Sequence, residues 1–162
     1  MNDKIPIDAV ITWVDGNDPL HQRKMALAVS SEKKKKNNLS KYKEAGEIYY
    51  CVQSIIKFAP FIRKIFIVTD NQVPLFIKNK KVHDKRIKVV DHKEIFKGLE
   101  EYMPTFNPRC IDALLHRVPG LSERFIYFND DMFLIKKTQS KDWFTVAGEP
   151  VLRGKWSKSY NT

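Results

Sequence analysis

Four short runs rich in β-branched and aromatic residues punctuate this chain, and an acid or an amide stands at the end of each. They are Asp8–Val14 (DAVITWV), Lys64–Thr69 (KIFIVT), Arg86–Asp91 (RIKVVD) and Phe125–Phe128 (FIYF). Runs this short and this apolar read as strands buried on both faces. Between them lie stretches with helical spacing. In Ala45–Ala59 (AGEIYYCVQSIIKFA), apolar side chains recur at Ile48, Cys51, Val52, Ile55, Ile56 and Ala59, and Pro60 ends the pattern. Pro108–Val118 carries Ile111, Leu114 and Leu115 on one face and stops at Pro119-Gly120. Pro74–Asn79 and His92–Leu99 suit short helices or turns, and Met132–Ile135 suits a fifth, short strand. Strands alternating with helices predict an α/β fold, a mostly parallel sheet with helices on both faces.

The length of 162 residues is that of one ordinary domain, and a hydrophobic content of 43% is enough for a packed core. Formal net charge is +10, from 29 Lys and Arg against 19 Asp and Glu. Such an excess points to an acidic partner: nucleic acid, an anionic membrane or a phosphorylated substrate. The basic residues are scattered or bunched at Lys33–Lys36, and no nucleic-acid-binding motif appears, so a nucleic-acid partner is not expected. Residues 30–38 read as a mobile lysine-rich loop without chemistry, because adjacent lysines repel one another and offer nothing to a core. No apolar run reaches the roughly 18 residues of a membrane span. The amino terminus lacks the basic start and small-residue cleavage site of a signal peptide, so a cytoplasmic setting is expected. Cys51 and Cys110 fall inside predicted helices without metal-site spacing, and both are expected as buried free thiols.

In open parallel sheets, ligands sit beyond the carboxyl ends of the strands. Asp15 and Asp18 follow the first run, Asp70 and Asn71 the second, Asp91 and His92 the third, and Asn129, Asp130 and Asp131 the fourth. A helix cap explains any one of these, whereas the agreement of all four points to a ligand site. Asp130 and Asp131 are the most informative. Two adjacent carboxylates inside the apolar stretch RFIYFNDDMFL repel each other and lose hydration if enclosed. A divalent cation removes both problems. Oxygen ligands without a Cys/His set favour Mg²⁺ or Mn²⁺ over Zn²⁺, with water and substrate phosphates completing the shell. The alternative is a β-turn in which Asn129 and Asp130 cap backbone groups. His116-Arg117, at a predicted helix end, offers an imidazole suited to proton transfer and a guanidinium suited to phosphate. The alternative there is a surface pair favoured by the helix dipole. Arg63, Arg109 and Arg124 are further phosphate candidates, and Trp13, Tyr49, Tyr50, Phe106 and Tyr127 are expected mainly in the core.

Three ordered blocks then stand out: IDAVITWVDGNDP (7–19), YYCVQSIIKFAPFIRKIFIVTDNQVP (49–74) and FNPRCIDALLHRVPGLSERFIYFNDDMFL (106–134). Together they resemble the first three signature regions of the Stealth family, the bacterial capsular polysaccharide phosphotransferases. The catalytic core of the N-acetylglucosamine-1-phosphotransferase that marks lysosomal enzymes is similar. The resemblance implies a Rossmann-like core related to the nucleotide-sugar (GT-A-like) transferases and a divalent ion, Mg²⁺ or Mn²⁺. It implies transfer of a sugar 1-phosphate from a nucleotide-sugar donor to a hydroxyl of a growing polysaccharide or lipid-linked glycan, with release of a nucleoside monophosphate. The implied setting is the cytoplasm, with peripheral attachment to capsule machinery at the inner face of the membrane.

Carried over by motif, Asp15, Gly16, Asn17 and Asp18 would line the site, with Asp70, Asn71, His116, Arg117, Asn129, Asp130 and Asp131. In this reading Asp130 and Asp131 hold the metal, Arg117 contacts phosphate, and either His116 or Asp15 is the base. Two departures qualify the resemblance. Family members often carry arginines in the helix before FAPFIRK, where this chain has Tyr49 and Gln53; either a phosphate contact is lost or the substrates differ. The family also has a fourth downstream signature region without a counterpart before Thr162, so residues 1–162 read as a single catalytic domain that is a fragment or a reduced version. The competing readings are a metal-dependent glycosyltransferase and an inactive scaffold in capsule assembly.

Overall fold

The four apolar runs become the four strands of one sheet. In the computed structural model, which describes residues 5–28 and 45–154, β1 is Ile7–Thr12, β2 is Ile62–Thr69, β3 is Ile87–Asp91 and β4 is Arg124–Asn129. The lysine-rich loop expected at 30–38 lies outside the described residues. Every pairing is parallel and the order is β3-β2-β1-β4, as the α/β reading requires. The chain builds outward from β1 through β2 to β3, then returns to place β4 on the other side of β1. That reversal falls between β1 and β4, the place where open α/β sheets leave a crevice at the carboxyl ends of the strands.

Successive strand side chains point to opposite faces, and each face has its own core. On one, Ala9 and Ile11 of β1, Ile65 and Ile67 of β2, and Ile126 and Phe128 of β4 meet Ile48, Cys51, Val52 and Ile55 of helix α2 (Glu47–Phe58). On the other, Val10, Phe66, Val68 and Val90 meet Ile95 of α4 (His92–Ile95) and Ile111 of α5 (Pro108–Leu114). Leu115 and Val118, in and after the 3₁₀ turn Leu115–Arg117, complete that second layer. A fully buried isoleucine such as Ile55 contributes about 1.5–3 kcal/mol in such a layer. Helices α1 (Pro19–Ala28) and α3 (Leu75–Lys78) lie in the connections that follow β1 and β2.

The amino edge of the sheet is fastened by one carboxylate. Asp8 is fully buried and accepts hydrogen bonds from Arg63 Nε (2.9 Å) and Nη2 (2.6 Å), from the Lys64 amide (3.1 Å) and from the Ser122 amide (2.8 Å). It ties β1 to β2 and to the loop before β4. Arg63 is therefore occupied, far from the carboxyl ends where a phosphate ligand is needed. Arg124, also at the amino edge, lays its guanidinium where a Cβ on Gly148 would stand.

Two further expectations are corrected. Met132–Ile135 is not a strand: among the described residues no strand pairs with it. The segment crosses α2 instead, with the Leu134 amide donating to Ser54 Oγ (3.0 Å) and the Thr138 amide to the Phe58 carbonyl (2.8 Å). Of the two free thiols, Cys51 is buried but Cys110 is exposed on α5. The apolar stripe of α5 runs through Ile111 and Leu115, and Cys110 stands beside it. Among the described residues no helix is long and apolar enough to cross a membrane.

Candidate active site

At the carboxyl ends of β1 and β4 a cleft of about 250 Å³ opens on the face covered by α4 and α5. Thr12, Trp13 and Val14 bring it the end of β1, and Tyr127, Asn129 and Asp130 bring it the end of β4. His21 reaches it from α1, His92 from the start of α4, and Phe106 and Ile111 close it from the side of α5. Strand register places Thr12 opposite Asn129 and Val10 opposite Tyr127, so Thr12, Tyr127 and Asn129 share one face. Their polar atoms form a chain. Tyr127 donates its hydroxyl to Asn129 Oδ1 (2.8 Å), and the Thr12 and Tyr127 hydroxyls lie 2.9 Å apart. With the phenolic proton committed to Asn129, the Thr12 hydroxyl donates to Tyr127. Burial raises the Tyr127 pKa, and the neighbouring carboxylates of Asp112 and Asp130 push the same way, so the phenol stays a donor at neutral pH.

Asp130 faces this cleft, while Asp131 is exposed and does not line it. The backbone between them is a turn, closed by the Met132 amide donating to the Asn129 carbonyl (3.0 Å). A turn and a cleft-facing carboxylate therefore coexist at this point. Beneath them the Cys51 thiol is pushed up to about 12, first by burial and then by the fields of Asp130 and Asp131, which makes it inert.

The remaining predicted residues divide. Asp15 borders a second cleft on the other side of Trp13, and its Oδ1 accepts from the Asn17 amide (2.8 Å). Asp18 caps α1: its Oδ1 accepts from the Leu20 amide (2.7 Å), which holds its carboxyl below the ordinary range. The Gly16 carbonyl accepts from Gln22 Nε2 (2.9 Å). Gln72 clamps this turn, taking the Asp15 amide on Oε1 (2.8 Å) and donating to the Asp15 carbonyl (3.1 Å) and Asp18 Oδ2 (3.2 Å). Asp70 lies against His21 Nδ1 (3.3 Å) and Lys24 Nζ (2.8 Å), and these contacts hold its carboxyl far below the usual range. It anchors α1 to the end of β2. Asn71 is exposed and left-handed (φ 53°), a conformation asparagine tolerates.

His116 and Arg117 do not join the cleft. Helix α5 meets it at Pro108 and Ile111 and then descends toward the start of β4. About 12 Å of helix separates Pro108 from His116 at 1.5 Å per residue. Arg117 Nη2 donates to the Lys97 carbonyl (2.6 Å), and His116 is exposed. Arg109 is exposed at the start of α5 and does not line the cleft either.

Sequence reasoning passed over His21 and Gln72, put Tyr127 and Phe106 in the core, and placed His92 after a strand without giving it a role. Tyr127 carried a usable signal, since it stands two residues before Asn129 and so shares its face. Burial lowers the His92 pKa, so at neutral pH it is a neutral imidazole at the cleft. For a divalent ion, no three His, Cys, Asp or Glu converge among the described residues. The donor set fits a hard cation held by one or two carboxylates, with the rest of its shell from water and substrate oxygens.

Comparison with known proteins gives two family matches. Stealth protein CR1, conserved region 1, matches residues 6–32, and Stealth protein CR2, conserved region 2, matches residues 41–152. A capsular polysaccharide phosphotransferase, fcs1, of Haemophilus influenzae is 45% identical over 152 residues, 91% of this chain and 40% of the relative. The receptor polysaccharide phosphotransferase WefC of Streptococcus oralis is 39% identical over 147 residues, 89% of this chain and 43% of the relative. The exopolysaccharide phosphotransferase cps2G of Lactiplantibacillus plantarum is 37% identical over 144 residues, 89% of this chain and 41% of the relative. The chain thus spans about two fifths of the length of these relatives.

Proposed function

This chain belongs to the Stealth family, and from that premise we propose that it carries the donor-binding part of a polysaccharide phosphotransferase that moves a sugar 1-phosphate. The donor is a nucleotide sugar and the acceptor a hydroxyl of a growing polysaccharide or lipid-linked glycan. The acceptor oxygen attacks the sugar-bearing phosphorus and forms the new P–O bond. The bond from that phosphorus to the nucleoside monophosphate breaks, and the acceptor proton passes to a base. Of the two base candidates, Asp15 stands at the carboxyl edge, while His116 lies in the 3₁₀ turn beyond the far end of α5.

One observation carries the reading: the carboxylate of Asp130 and the ordered Thr12–Tyr127–Asn129 chain line one cleft at the carboxyl ends of β1 and β4. Phosphoryl transfer asks the protein for positioning and charge neutralisation more than for a covalent catalyst. A Mg²⁺ or Mn²⁺ ion held by Asp130, with Asp131 as a second carboxylate, would supply the neutralisation when bound. The hydroxyl chain fixes the Asn129 amide, and neutral His92 offers a hydrogen bond to the nucleotide without adding charge. Work at the inner face of the membrane is consistent with the +10 charge, which attracts anionic surfaces.

The test separates the two chemistries that such a cleft supports. The protein is incubated with a uridine diphosphate sugar, Mn²⁺ and an oligosaccharide acceptor, and the nucleotides are resolved. Uridine monophosphate, with a phosphodiester in the ³¹P spectrum of the product, is the expected result. Uridine diphosphate with no phosphorus in the product would make the protein a glycosyltransferase. No Mn²⁺-dependent nucleotide binding at all would leave a scaffold.

A further inference from the structure

A second cleft of about 610 Å³ opens at the same carboxyl edge on the α2 side of the sheet. Trp13 lines both clefts and separates them. The volume falls within the roughly 300–1,000 Å³ of ligand pockets. Tyr49 and Tyr50 form one wall with rings edge to face at 5.2 Å, and Phe76 stands 5.9 Å from Tyr49. Tyr50 is 63% exposed, on the wet side of a helix whose core stripe runs through Ile48, Cys51, Val52 and Ile55. Core packing therefore explains Ile48 but not Tyr50.

The polar groups of the cleft are few. Among the described residues they are Asp15, Asn79 and Lys81 beside the two phenols. Among the described residues that line it, one carboxylate and one ammonium balance, and the aromatic wall dominates the surface. Its chemistry suits a neutral ligand with apolar faces and a rim of hydroxyls, for which tyrosine is an apt partner because its ring is apolar and its tip is wet. A hydroxyl held beside Asp15 lies two residues from Trp13, which also lines the first cleft.

We propose that this second cleft is the acceptor subsite: it binds a neutral sugar residue against Tyr50 and holds the accepting hydroxyl beside Asp15. The inference rests on the donor occupying the first cleft, and the test keeps the two apart. Saturation-transfer NMR is recorded on the protein with neutral gluco- and galacto-oligosaccharides of two to four residues. Binding of uridine diphosphate with Mn²⁺ is measured in parallel. Sugar ring protons should receive saturation from the wild type. Tyr50→Ala should weaken oligosaccharide binding about fivefold, the size of one lost ring contact, and Tyr50→Phe should largely restore it. Asp130→Asn should weaken nucleotide binding and leave oligosaccharide binding intact. Absence of oligosaccharide binding by the wild type overturns the acceptor assignment, as does loss of nucleotide rather than sugar binding in Tyr50→Ala. In either case the donor reading stands or falls on the nucleotide measurement. Tyr50 is exposed, so its replacement does not endanger the fold.

Discussion

Replacing Asp8 with alanine should destabilise the protein by about 3 kcal/mol while leaving the cleft at the carboxyl edge intact. The carboxylate is fully buried and takes two backbone amides, Lys64 and Ser122, that cannot move without shifting β2 or the loop before β4. Alanine leaves both facing a void, at about 1–3 kcal/mol for each orphaned donor. Together these come to about 2–6 kcal/mol, and water entering the void offsets part of this, which brings the sum to about 3 kcal/mol. The third partner counts for less. The Arg63 side chain is 38% exposed, so its guanidinium rehydrates when the carboxylate goes. In the reverse experiment Arg63→Ala leaves a buried charge with only the amides, which is costly. The two changes should therefore be strongly non-additive, with Arg63→Ala costing little once Asp8 is already alanine. Urea unfolding followed by far-UV circular dichroism gives all four corners of the cycle. A loss below about 1 kcal/mol for Asp8→Ala, or equal costs for Arg63→Ala in both backgrounds, would refute the account of the amino edge.

Two other outcomes follow from the carboxyl edge and from α5. The Asp70 carboxyl is held far below its ordinary value by His21 and then Lys24, so the unfolded chain binds its proton first; this stability is complete above about pH 4 and is lost as pH falls toward the folded value. Urea unfolding from pH 6 to 2 should show a steeper acid loss in wild type than in Asp70→Asn, and parallel curves would sink the assignment. Arg117→Ala removes one hydrogen bond, to the Lys97 carbonyl, and should cost about 0.5–1.5 kcal/mol of stability. Nucleotide affinity should change by less than about twofold, whereas a tenfold loss by calorimetry would return Arg117 to the phosphate site.

The sheet was legible because burial on both faces leaves little freedom. DAVITWV and KIFIVT have no polar face to show solvent, so each had to be an inner strand of a parallel sheet. The rule that ligands gather at carboxyl ends singled out Asp130, which lines the first cleft, and Asp15, which lines the second. The same rule over-collected. Asp18, Asp70 and Asp91 also stand after strands, yet Asp18 and Asp91 cap helices and Asp70 fastens α1. In an α/β fold every strand exit is also a helix entrance or a turn, and both need acids and amides for backbone reasons. Met132–Ile135 failed for a different cause. Its composition suits a strand, but a strand needs a neighbour, and the segment crosses α2 where Ser54 Oγ takes one amide instead.

The adjacent pair at Asp130 and Asp131 shows the limit most plainly. Side chains alternate along β4, which puts Tyr127 and Asn129 on the cleft face and Phe128 in the opposite core. Were the strand to continue, Asp130 would follow Phe128 into the α2 core, next to Cys51, and Asp131 would face the cleft. The turn closed by the Met132 amide on the Asn129 carbonyl prevents this. It rotates Asp130 onto the cleft and leaves Asp131 in solvent, so neither carboxylate has to be buried uncompensated. The turn thus spares both carboxylates burial, and an ion bound at Asp130 would gain a second carboxylate only if the turn let Asp131 swing toward it. That makes the turn, rather than the pair, the element on which the proposed ion's affinity would depend. Lengthening the turn by one glycine after Asp131 should weaken Mn²⁺-dependent nucleotide binding while sparing the fold, since Met132 is exposed. Unchanged binding in that insertion variant would mean that Asp130 alone anchors the ion.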